Sequence, residues 1–153
     1  MADHLPQTAT SARPSLDHLS GRIVTGAFVL HSGLAKWNGA PETAEGVHGM
    51  ASTAYPFLRR LRPARFLKVL AAAEIAVGAT LLTPLVPDRA AGAVLTGFSG
   101  GLLGLYARAP GLRQEGSVWP TQNGTAIAKD VWMFGIGLDL LAARPATPVP
   151  ATA

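Results

Sequence analysis

Residues 90–107, "AAGAVLTGFSGGLLGLYA", carry no charged side chain. A helix over this stretch has no polar stripe, whereas a helix on the surface of a soluble bundle repeats polar residues at a period of about 3.6. Such a stretch suits hydrocarbon, because roughly 20 apolar residues cross a bilayer core about 30 Å thick. Three more apolar runs of similar length occur, at 19–37, 66–86 and 124–143. The four together predict an all-α fold, a bundle of four transmembrane helices, in preference to a soluble helical bundle. Each run is rich in Gly, Ala, Ser or Thr, which let membrane helices approach closely. The third holds two GxxxG pairs, Gly97 with Gly101 and Gly100 with Gly104, and is the expected face for self-association or for other membrane subunits.

Composition agrees with a membrane chain. Charged residues make up 14% of the 153, against about 25% in ordinary soluble domains. The ends, residues 1–15 and 145–153 ("PATPVPATA"), read as flexible tails around a membrane domain at 16–144. The first twenty residues contain no apolar core of a signal peptide. The chain has no cysteine, so it forms no disulfide and no thiolate metal site. Its formal charge of +4 suits nucleic acid or an anionic membrane. No groove-reading motif is present, which favours the lipid bilayer as partner and excludes nucleic acid.

The connections between spans are unequal. On the side where the chain begins, side A, spans two and three are joined only by "PDRA"; the two long connections lie on side B. The first of them opens like a helix, with Pro41 in a first turn and Glu42 and Glu45 behind it. Val47, Met50, Ala51 and Ala54 then recur at helical spacing until Pro56, which predicts a short amphipathic helix on the membrane surface. Arg59, Arg60, Arg62, Arg65 and Lys68 follow as a lipid-facing basic cluster. They read as an anionic-lipid site or as a topology signal. Side B holds nine Lys and Arg, counting Lys36, Arg108, Arg113 and Lys129, against four on side A. The positive-inside rule places side B in the cytoplasm and both termini outside a multi-pass cell-membrane protein.

Charges within the spans are costly, by about 2.5–3.5 kcal/mol each on insertion scales, so each needs an account. At about 1.5 Å rise per residue, Glu74 falls about 3 Å from the midplane, toward side B. His31 and Asp130 lie at intermediate depth on the same half, with Lys36 and Lys129 nearer its surface. At about 100° per residue, Arg22, Gly26, Val29, Gly33 and Lys36 share one face of the first span, and His31 points the other way. Lys129, Met133, Ile136 and Asp139 share a face of the fourth. Two groupings are therefore expected: a structural ion pair of Arg22 with Asp139 toward side A, and an intramembrane polar cluster of Lys36, Glu74, Lys129, Asp130 and His31 toward side B. The cluster is either packing ion pairs or a ligand or proton site. No metal-ligand spacing, nucleophile motif or phosphate loop is present.

The Arg at the head of "RIVTGAFVLHSGLAKW", its Gly three before a Lys, the Glu of "AAAEIAVGATLL" and the Lys-Asp of "GTAIAKDVWM" resemble the DoxX-like family of small four-helix bacterial membrane proteins. The resemblance covers about residues 21–141, and the chain's Ala-, Arg- and Gly-rich style is similar to actinobacterial members. It implies a link to quinol oxidases and thiosulfate:quinone oxidoreductases. The family pattern falls on Arg22, Gly33, Lys36, Glu74, Lys129 and Asp130; His31 and Asp139 are not part of it. The expected function is a non-catalytic accessory subunit of a membrane redox or respiratory complex. The alternatives are a quinone- or proton-handling component, with quinone as the possible cofactor, and a small-solute transporter, for which the sequence offers no broken helix.

Overall fold

The computed structural model describes residues 18–143. The tails expected at 1–15 and 145–153 lie outside the described residues. The helices are α1 (Leu19–Trp37), α2 (Pro41–Ala54), α3 (Pro63–Leu82), α4 (Asp88–Arg108), α5 (Thr125–Ala128) and α6 (Asp130–Ala142), with a 3₁₀ turn, Pro56–Arg60, between α2 and α3. No β-strand occurs among the described residues, so the architecture is all-α. By length and composition one helix among the described residues, α4, is long and apolar enough to cross a membrane. Charged residues interrupt α1 and α3, and the fourth apolar run is divided between two helices.

Prolines set most helix ends. Pro41 opens α2 with Glu42 in its first turn, where the helix dipole favours an anion. The helix stops at Ala54 because Pro56 drives Tyr55 out of the helical region. α3 starts at Pro63, and Pro84 ends it by holding Thr83 extended (φ −81°, ψ 114°). The helix therefore closes at Leu82, short of the expected 86, and residues 83–87 make the turn into α4. The fourth run is also not one helix. At Lys129 the α-helical ladder breaks, and the Trp132 N–H donates to Lys129 O at 3.0 Å instead. Lys129 closes α5 and Asp130 opens α6, the placement of cation and anion that helix dipoles favour.

The long helices form two close pairs. α1 runs along α3, and α4 along α6. Each pair meets through glycine. A Cβ on Gly78 of α3 would lie 2.6 Å from the Leu30 N of α1, and one on Gly92 of α4 would lie 2.6 Å from the Leu141 N of α6. Only hydrogen fits at these crossings, so backbone packs on backbone. Toward the start of α1 the pairs share one core: Val29, Val77, Leu81, Ala91, Leu95 and Leu140. A second core, Ala51, Ala54, Leu105, Ala109 and Leu112, joins α2 to α4 and the loop after it. Between the two cores the pairs part around a groove.

Candidate functional site: a polar groove between two helix pairs

The groove has a volume of about 860 Å³, and its walls are mostly apolar, with Phe28, Val29, Phe66, Leu70, Phe98 and Met133 among them. α2 closes its side-B end with Val47, Met50 and Ala51. The helix expected in the first long loop therefore exists, but it packs against α3 and α4 as a wall of the groove.

Charge enters the groove from two walls. On the first, the Lys36 Nζ of α1 donates to Glu74 Oε2 of α3 at 3.0 Å and to Ser32 Oγ at 2.6 Å. Glu74 is 7% exposed. α1 and α3 can bring these groups together because Gly33 sits one turn before Lys36. A Cβ there would lie 2.9 Å from both Ala71 O and Glu74 Cβ. On the second wall Asp130 opens α6 at the helix break, half-buried and within electrostatic range of both Glu74 and Lys36. The result is one cation and two carboxylates on the walls of a mostly apolar groove.

The expected cluster is thus partly assembled. Lys36, Glu74 and Asp130 meet at the groove. Lys129 does not join them: the break at its own position turns it outward, and it is exposed. His31 is exposed on the face of α1 opposite Arg22, Gly26, Val29 and Gly33, which are the buried ones, as the helix phase requires. It lines no part of the groove.

Arg22 and Asp139 do not pair. Arg22 is 2% exposed, and its guanidinium binds the end of α3 instead. Nε donates to Leu81 O at 2.9 Å. One terminal nitrogen donates to Val86 O (2.8 Å) and Asp88 Oδ1 (2.7 Å), the other to Thr80 O (3.2 Å) and Thr83 O (2.8 Å). It caps the carbonyl end of α3 and ties it to the first residue of α4. Asp139 fails as a partner because α6 turns Gly137 and Leu140 inward against α4, leaving Asp139 on the outer side. There Asp139 Oδ2 meets His18 Nδ1 at 3.0 Å.

Asp88 is the residue that helix-phase reasoning missed. The available signal was its place in the four-residue "PDRA" connection, on the same side as Arg22 and at a helix start. Ser32 was missed too, although it lies four residues before Lys36, on the same helix face.

The basic cluster also divides. Arg59, Arg60, Arg62 and Arg65 are exposed around the 3₁₀ turn and the start of α3. Lys68 leaves them: its Nζ donates to Trp37 O and stands 4.6 Å from the Trp37 ring centre, which ties α3 to the end of α1. Among the described residues no three His, Asp or Glu side chains gather as metal ligands would. Comparison with protein-family models, with curated proteins and with solved structures gives no match.

Proposed function

We propose that this chain is a multi-pass membrane protein, and that its groove binds a small amphipathic redox carrier of the quinone class. What supports the membrane is the reversal of polarity. Phe28 is 70% exposed, Val24 71% and Trp132 69%, while Arg22, Glu74, Asp88 and Ser99 are buried. Water disfavours that arrangement and hydrocarbon tolerates it. On this reading α1, α3, α4 and the α5–α6 stretch cross the bilayer, with side B and its arginines in the cytoplasm.

The observation that carries the ligand reading is the Lys36–Glu74 pair on one wall and Asp130 on another of a mostly apolar groove. A volume of about 860 Å³ lies in the range of small-molecule sites, which run to about 300–1,000 Å³ with mostly apolar walls and a few polar groups. The resemblance to DoxX-like proteins supplies the redox assignment. A quinone becomes a quinol by taking up two protons together with two electrons, which a partner redox protein would supply. Lys36 would donate a hydrogen bond to a ring oxygen. Glu74 and Asp130 would exchange protons with the ring from the two walls, and the apolar side chains would hold the ring and the start of its tail.

The test is purification in mild detergent followed by extraction and measurement of bound quinone, with Glu74→Gln alongside. The wild type should carry quinone, and Glu74→Gln, which also unpairs Lys36 and so lowers thermal stability, should stay folded and lose most of the quinone. A wild type that carries none, with Glu74→Gln altering only thermal stability, would refute the redox site. A second reading, a non-catalytic accessory subunit, draws on α4: among the described residues a Cβ on Gly97, which lies outside the groove, would meet nothing within 4 Å, so α4 is open to another helix there. Isolation in mild detergent with no partner complex would count against it.

A further inference from the structure

We infer that the 3₁₀ turn and the start of α3 form a headgroup site for one anionic phospholipid, the phosphodiester being held by Arg60, Arg62 and Arg65. This rests on the membrane reading but not on the quinone site. Three observations carry it. These arginines, with Leu61 and Ala64, line a concavity of about 550 Å³. Among the described residues, the side chains of Arg59, Arg60, Arg62 and Arg65 make no hydrogen bond and no ion pair, and neither Glu42 nor Glu45 of α2 reaches them. The backbone that presents them is fixed. His48 Nε2 of α2 donates to Leu58 O at 3.0 Å, and the Leu61 N–H donates to Leu58 O at 2.9 Å.

A topology signal needs only charge, anywhere in a loop. Here three arginines within six residues line one concavity on a held backbone, and each guanidinium offers a planar fork of donors that matches phosphate oxygens. Neighbouring cations without a carboxylate partner repel one another, and a headgroup phosphate relieves that repulsion. Phe57, 65% exposed, sits beside them as an apolar contact for the lipid's glycerol and upper chains. Lys68 is excluded from the site by its bonds to Trp37.

Native mass spectrometry of the full chain from detergent containing equal phosphatidylglycerol and phosphatidylcholine reads this directly. The wild type should retain one phosphatidylglycerol in preference to phosphatidylcholine. R60Q/R62Q/R65Q should lose that preference by about tenfold or more, while R108Q/R113Q, which removes charge elsewhere on side B, should keep it. Glycerol phosphate added as a soluble competitor should not displace the lipid at equal concentration. Equal lipid retention by the wild type and the triple variant, or equal loss in both variants, overturns the site. Displacement by glycerol phosphate overturns the lipid in favour of a soluble phosphate ester. A chain that stays in solution without detergent overturns the membrane reading itself, a result distinct from loss of lipid preference.

Discussion

Arg22 shows how one residue sets the stability of the closed end. Its donors are met by four carbonyls and the Asp88 carboxylate. Arg22→Gln leaves those carbonyls and a buried carboxylate without their cation, a loss expected to cost about 3–5 kcal/mol. Arg22→Lys should not rescue it, since an ammonium lacks the planar fork. Asp139→Asn, at a side chain 70% exposed, should stay within about 0.5 kcal/mol of the wild type. Thermal unfolding in detergent separates the three. Thr96 gives the opposite sign. Its Oγ1 is buried with no hydrogen-bond partner among the described residues, pressed against Gly137 of α6. Thr96→Val removes an unsatisfied hydroxyl at almost the same size and should stabilise by about 1 kcal/mol in the same assay.

Helix pairing depends on which glycines lie at crossings, and the GxxxG pattern does not mark them. Gly92, outside both GxxxG pairs of α4, makes the crossing with Gly137; of the pairs, Gly100 lies against Phe134 of α6 and Gly104 against Tyr55, while a Cβ on Gly97 would meet nothing within 4 Å among the described residues. Gly78→Ala should therefore push α1 from α3, cost about 1–3 kcal/mol, and loosen the Lys36–Glu74 pair beyond it. Gly97→Ala should be neutral or stabilise by up to about 1 kcal/mol, because it adds helix propensity without a clash. Circular dichroism melts of the two variants decide this. Should the Gly97 variant instead break up an oligomer seen in mild detergent, that strip of α4 is a subunit contact. The break at Lys129 escapes the sequence pattern as well. Neither Gly nor Pro marks it, so periodicity reads 124–143 as one helix, and phase relations that include Lys129 cross a discontinuity.

For the whole molecule, two glycine-locked pairs are clamped at the Arg22–Asp88 end and part around a groove at the other. That architecture predicts where the chain yields. Detergent or ligand conditions that protect the α1–α3 and α4–α6 contacts should still permit movement between pairs. Amide exchange in α2 and α5, which border the groove, should thus exceed exchange at the Arg22 end. Topology has its own measurement. A C-terminal alkaline phosphatase fusion should be active outside the cytoplasm, and a C-terminal fluorescent reporter that matures only in the cytoplasm should stay dark. The reverse result would place side B outside and leave its arginines facing the wrong leaflet.

By itself the sequence determined the helical class, the α2 helix and its proline-set ends, the buried face of α1, and the presence of a carboxylate deep in an apolar run. These are local properties, fixed by periodicity, by proline's restriction of its neighbour and by the rarity of charge in apolar segments. Which charges meet depends on how the helices pack. Arg22 chose Asp88 because α1 packs on α3, whose carbonyl end and following turn lie beside the guanidinium. Lys36 found Glu74 because Gly33 lets the two backbones close, while Lys129 and Asp139 were turned away by a helix break and by a glycine crossing. Ion pairing in this chain follows from backbone approach, and backbone approach is a property of two helices at once, which no single helix's phase contains.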